Sequence, residues 1–324
     1  MLYQMVLPSQ QAMHTPDGLL SLPIVILMWV ISAATLWYAT RKVDFRSKKM
    51  PILAMVAAFV FAAQMFNFPI AGGTSGHLLG GALIAIVFGP WEAVIAMASV
   101  IAIQGLVFQD GGLLAMGANI FNMGIATSMV GYGGYLFLKR FLKSSHAALF
   151  ISAWLSVVVA ATFASIELWL SGAVPLGVVV PTMVGVHSLI GIGEGIISVA
   201  AYSVLVKGVV AIDADKDEIV PADKRWGWYG LAMIVFALAF APFASTYPDG
   251  LEAFADKTGL SKLARPAPYH IFPDYTVVGL HGAVSTIAAG VIGVILVFGA
   301  LFAVYYTHAR LRQNGATTAD TDNK

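Results

Sequence analysis

Apolar residues come in long blocks along this chain, and polar ones gather between the blocks. A membrane span needs roughly 20 mostly apolar residues. Runs of that kind cover residues 19–39, 51–68, 146–170, 177–206, 228–245 and 277–306. Two longer stretches need dividing. Residues 78–108 contain Gly89-Pro90-Trp91, and a proline at a short break predicts two spans joined by a tight turn. Residues 111–138 read as one glycine-rich span with a re-entrant start. The expectation is an all-α polytopic membrane bundle of about nine transmembrane helices.

The charges then orient the bundle, because cytoplasmic loops are enriched in Lys and Arg. Arg41, Lys42, Arg46, Lys48 and Lys49 follow the first span, and Lys139, Arg140 and Lys143 the fifth. Lys207, Lys216, Lys224 and Arg225 follow the seventh, and Arg310, Arg312 and Lys324 end the chain. Threading nine spans puts all of these on one face and leaves Lys257, Lys262 and Arg265 on the other. The N-terminus is therefore expected outside and the C-terminus inside. Composition agrees: 59% of residues are hydrophobic and 11% charged, against about 45–50% and 25% in soluble domains. The net charge of +1 gives no basic surface for nucleic acid. With no cysteine, disulfides, thiolate metal sites and cysteine catalysis are excluded.

Polarity also divides the chain. Residues 1–12 form an N-terminal extension without the charged and apolar regions of a signal peptide. Residues 13–210 read as one bundle and 211–225 as a charged cytoplasmic linker. Residues 226–310 read as a two-helix hairpin with an outer loop, and 311–324 as a polar tail. No internal repeat is visible, which weakens an inverted-repeat secondary transporter.

Candidate chemistry lies where polar residues interrupt this pattern. His14 precedes the first span in Met13-His14-Thr15-Pro16-Asp17-Gly18, and His77 ends Gly72-Gly73-Thr74-Ser75-Gly76-His77. That glycine run disfavours helix, and irregular backbone at membrane depth persists only where protein or a cavity covers it. Each histidine alone could simply bond to backbone; two on the same face point to a metal. Asp110 and the Asn119/Asn122 pair form a second cluster. The asparagines, three apart, share a helix face and read either as packing glue or as groups that hold an imidazole. His187 and Glu194 share a face inside a span, where ionisable groups are costly and usually functional. An interhelical hydrogen bond, an acid–base pair and a proton relay all remain open for them. No phosphate-binding loop is present, so ATP hydrolysis is not expected in this chain, and no HExxH or GxSxG motif suggests a hydrolase.

Several of these stretches are familiar together. Met13-His14-Thr-Pro-Asp-Gly-Leu-Leu, Gly73-Thr-Ser-Gly-His77-Leu and Gly89-Pro-Trp-Glu92 resemble the M component of cobalt/nickel energy-coupling-factor transporters (CbiM/NikM type). So do the stretch from Phe108-Gln-Asp110 through Asn119 and Asn122, and His187-Ser-Leu-Ile-Gly-Ile-Gly-Glu194. Tyr247-Pro-Asp-Gly-Leu-Glu252 and Pro273-Asp-Tyr-Thr-Val277 resemble the small N component of PDGLE type, so the chain looks like an M–N fusion. The resemblance implies a substrate-capture subunit in the inner membrane of a prokaryote, working with a T/Q-type membrane coupling subunit and cytoplasmic ATPases. It implies Ni(II) or Co(II) as transported ligand, with no cofactor. The ligands would be the free amine of Met13, the amide nitrogen and imidazole of His14, and the imidazole of His77. Thr74, Ser75, Asp110, Asn119, Asn122, His187 and Glu194 would support them. Residues 1–12 depart from this pattern, because they make the Met13 nitrogen an amide. A start of translation at Met13 is the expectation that restores the amine.

Overall fold

The computed structural model describes residues 14–213 and 218–321. Two prolines, Pro23 and Pro51, sit in the first turns of α1 (Leu22–Lys42) and α2 (Met50–Gln64), where the missing N–H costs nothing. A short antiparallel ladder follows, β1 (Phe68–Ile70) on β2 (Thr74–Gly76), in which Phe68 faces Gly76. Gly72 and Gly73, at φ 89° and 71°, turn the chain between them. The predicted break at Pro90 is real. Gly89, at φ 108°, separates α3 (Gly81–Phe88) from α4 (Pro90–Ile103).

Beyond α4 a π-helical turn, Gln104–Phe108, leads into a non-helical elbow. Helix resumes as α5 (Met116–Asn119), a π-helical stretch Ile120–Ala126, and α6 (Thr127–Leu138). Ser144 caps α7 (Ser145–Leu170) through the Ala147 N–H, and α7 packs along α8 (Leu176–Val204). A second antiparallel hairpin, β3 (Val210–Asp213) with β4 (Glu218–Pro221), forms within the stretch read as a charged linker. The C-terminal part comprises α9 (Trp226–Phe240), the short α10 (Gly250–Thr258) and α11 (Gly282–Thr321).

All nine predicted spans contain helix, but among the described residues six helices are long and apolar enough to cross a membrane. The chain is a multi-pass helical membrane protein. The remaining three segments differ for physical reasons. α2 has 15 residues and α3 only 8, about 22 and 12 Å at 1.5 Å per residue. The 116–138 run has helical length but carries Asn119 and Asn122. The all-α expectation also needs correcting for the two small ladders; the first exists because glycine and proline leave residues 66–80 no helical option.

α2 is buried on nearly every face. The C-terminal helices α9 and α11 pack directly on it: Gly290 lies against Met65 and Leu238, and Gly293 against the ring of Phe61. The two-helix hairpin read over residues 226–310 therefore shares the core of the N-terminal bundle. At one end of the bundle Lys49 Nζ is 2.6 Å from Glu92 Oε1, and the Phe45 and His308 rings stack at 5.2 Å. His14, His77 and α10 gather at the opposite end.

Candidate metal centre

The segment carrying His14 is laid against the elbow between α4 and α5. Asn119 grips the Thr15 backbone from both sides: its Oδ1 accepts the Thr15 N–H at 3.1 Å and its Nδ2 donates to the Thr15 carbonyl at 3.1 Å. The Gly112 N–H donates to the same carbonyl. Asp17 accepts the N–H groups of Leu113 and Ala115 at 3.1 and 2.9 Å, which satisfies orphan donors where α5 begins. Gly111 makes the fit possible. It has φ 97°, and a Cβ there would lie 2.9 Å from both His14 Cβ and Asn119 Nδ2. Gly111→Ala is expected to displace the His14 segment and lower the melting temperature, read by circular dichroism in detergent.

The His77 loop is held from below and above. Both oxygens of Glu194, fully buried on α8, accept backbone N–H groups, from Leu79 at 2.6 Å and Gly80 at 3.0 Å. Gln64 donates to the Leu79 carbonyl. From the other side the Ser75 hydroxyl donates to the Tyr247 carbonyl at 2.7 Å, and the Ser75 N–H to that of Pro248 at 2.8 Å. A Cβ on Gly76 would press within 2.5 Å of Ile190.

These two loops bring the imidazoles of His14 and His77 together, with ring centres 5.5 Å apart and planes at 79°. Metal–nitrogen bonds of about 2.0–2.1 Å allow two rings at that separation to share one ion. Both are buried, at 1% and 7% exposure, so neither is a solvated loop histidine. His14 Nδ1 lies 3.2 Å from the Asp110 carbonyl and 3.4 Å from Asp110 Oδ1. His77 Nδ1 lies 2.9 Å from the Leu78 carbonyl. An Nδ1–H donated to a carbonyl leaves the lone pair on Nε2, the usual arrangement of metal-binding histidines. His14 Nε2 is buried without any hydrogen-bond partner. Both rings line a cavity of about 70 Å³, room for an ion and a water or two. Among the described residues no three His, Asp or Glu side chains converge as a complete metal set. Met13, the remaining expected ligand, lies outside the described residues, as do residues 1–12.

Burial, followed by the neighbouring His14, pushes the His77 imidazole from 6.5 down to about 4. The neutral form therefore persists in mild acid. The unfolded chain takes up this proton near 6.5 and the folded chain only near 4, so the unfolded state binds more protons in between. Stability is expected to fall as pH drops through that window. Melting curves should show the slope, and His77→Gln should flatten it.

The other expected residues divide. Asn119 and His187 line the cavity, but Asn119 holds backbone and no imidazole; the imidazole of His14 is met by Asp110 instead. His187 bonds its own helix through the Met183 carbonyl at 2.8 Å. Asn122 reaches the cavity while donating to Glu167 Oε2 at 2.9 Å. The Thr74 hydroxyl donates to the adjacent Ser75 carbonyl and turns to no imidazole among the described residues. Glu194 is a loop clamp, seven residues from His187 but engaged elsewhere. Asp249 and Gly250 complete the cavity wall, with Asp249 capping α10 through the Glu252 N–H at 2.8 Å. The sequence held a signal for Asp249, which sits in a Pro-Asp-Gly triplet before an apolar run, the pattern of a capping aspartate; Asp17 sits in the same triplet but serves α5, a distant segment.

Residues 14–209 match the family described as the cobalt uptake substrate-specific transmembrane region. The chain belongs to that family. Residues 223–310 match the PDGLE domain, so this cobalt-uptake family member is a CbiM/NikM-type M component fused to a PDGLE N component. A relative in Archaeoglobus fulgidus, bearing the name of a fused nickel transport protein NikMN, is 39% identical over 90% of this chain and 98% of its own. The fused nickel transport protein NikMN of Rhodobacter capsulatus is 30% identical over 78% and 80%. The crystal structure of a truncated transition metal transporter superposes with a TM-score of 0.54 at 35% identity, covering 59% of this chain and 97% of that one. The cobalt-uptake family and these relatives are metal transport proteins and not enzymes.

Proposed function

We propose that this chain is the metal-capture component of an energy-coupling-factor importer for Ni(II) or Co(II). The observation that carries the proposal is the pair of buried imidazoles, His14 and His77, that face each other across one cavity. The ligand set is the Met13 amine, the His14 amide nitrogen and imidazole, and the His77 imidazole. Four nitrogens near one plane suit Ni(II). A metal held by both the amide and the ring of His14 bonds Nδ1, the ring nitrogen within reach of its own backbone. The imidazole then turns about Cβ–Cγ and brings Nε2–H to the edge that faces Asp110, so Asp110 serves the ring in either orientation.

The site opens at the outer face of the inner membrane of a prokaryote, with the N-terminus outside, the C-terminus inside and the chain threaded through nine segments. The charged end, where Lys49 meets Glu92, is cytoplasmic and faces a T/Q-type coupling subunit and two ATPases. Residues 13–210 form the capture bundle, 211–225 the junction, 226–310 the PDGLE module and 311–324 the tail. A proton-driven carrier using His187 and Glu194 gains no support, because both Glu194 oxygens are occupied by backbone N–H groups.

The test is a Ni(II) titration of the protein beginning at Met13, beside the full chain. A square-planar nickel absorbance band saturating at one equivalent is expected where Met13 carries a free amine. A folded protein without that band overturns the planar nitrogen site.

A further inference from the structure

The Pro273-Asp274-Tyr275 segment belongs to the C-terminal module, yet its tyrosine is buried beside the loop that holds His14. The Tyr275 ring stacks on Phe108, with centres 4.9 Å apart and planes at 15°, and leans on Phe61. Its hydroxyl donates to Asp110 Oδ2 at 2.7 Å. The other carboxylate oxygen, Oδ1, has no hydrogen-bond partner and lies 3.4 Å from His14 Nδ1. Asp274 and Tyr275 both take positive φ, 51° and 53°. Bulky residues rarely adopt that backbone unless their surroundings hold them there, and such strain clusters at functional sites.

We propose that Tyr275 is a positioning residue of the metal site, acting through Asp110 to fix the His14 imidazole. A free carboxylate can swing about its Cβ–Cγ bond. One whose Oδ2 is fastened by a buried phenol keeps Oδ1 against the imidazole edge. The ring Nδ1–H goes to the Asp110 carbonyl at 3.2 Å while the carboxylate charge lies 3.4 Å from the same edge, and outer groups of this kind fix ring orientation and raise the basicity of the ligating nitrogen. The capture bundle therefore has its ligand geometry completed by the PDGLE module, through one hydroxyl. This inference rests on the metal-capture reading.

Tyr275→Phe keeps the aromatic stack and removes only the hydroxyl. The variant should fold and bind Ni(II) about 10–100-fold more weakly, the range for lost hydrogen bonds behind a ligand. Asp110→Asn should lose a similar factor, and the double variant should bind no more weakly than Asp110→Asn alone. Unchanged affinity in Tyr275→Phe, or losses that multiply in the double variant, would overturn the proposal. A second readout uses no metal: the imidazole ¹⁵N shifts of His14. The wild type should show one Nδ1–H tautomer and Tyr275→Phe a mixture. An unchanged tautomer overturns the role of Tyr275 even if the wild type captures no nickel, a result that would count against the capture reading instead.

Discussion

His77→Ala is expected to abolish stoichiometric, high-affinity Ni(II) binding while the protein stays folded. The loss should exceed the roughly 10–100-fold that follows removal of a supporting hydrogen bond, because a ligand itself is gone. The reason for expecting a folded variant is local. The His77 loop is held by its backbone, through Glu194, Gln64 and the Ser75 contacts with Tyr247 and Pro248. The imidazole adds only the Nδ1 contact with the adjacent Leu78 carbonyl. Calorimetric titration, with circular-dichroism melting as control, checks both halves. Retained tight binding in a folded His77→Ala protein would remove His77 from the ligand set.

Glu194→Ala should do the opposite: damage the fold first, and binding as a consequence. Its carboxylate satisfies two N–H groups at the start of α3, where Gly80 has φ 82° and leaves the helix without another cap. A buried donor left without a partner costs about 1–3 kcal/mol, and here there are two. The expected destabilisation is about 3 kcal/mol or more, visible as a lower melting temperature in detergent. Glu194→Gln keeps one accepting oxygen and should lose about half as much. A proton carrier would behave differently: Gln would be as inactive as Ala in transport, with stability intact. Equal melting temperatures for the wild type and Glu194→Ala would contradict the clamp.

The sequence made the helices legible because long apolar runs admit few other structures in a bilayer. It also singled out His14 and His77, because each alone could simply bond to backbone but two on one face point to a shared partner. What it missed lies in pairings between distant segments. Nothing local in Tyr275 announces that its hydroxyl meets Asp110, and nothing in Asn119 says that it reads the Thr15 backbone and no imidazole. Periodicity assigns a side chain to a face but not to a partner. Span counting had a related limit: α3 is apolar but only 8 residues long, because Gly80 and Gly89 bound it on either side, and an apolar average over residues 78–108 does not resolve those ends.

The grip of Asn119 on Thr15 has a consequence for the length of the chain in front of it. The carbonyl and N–H of one residue are both taken, the next anchor is Asp17, and the Arg265 N–H donates to the Asp17 carbonyl at 2.8 Å. Such fixed points act as a ruler, in which residue number translates into position. A single residue inserted between His14 and Thr15 would leave every grip satisfied and carry the imidazole one step past the cavity. The same insertion between Asp17 and Leu19 would leave the anchors and His14 where they stand and displace only the link to α1.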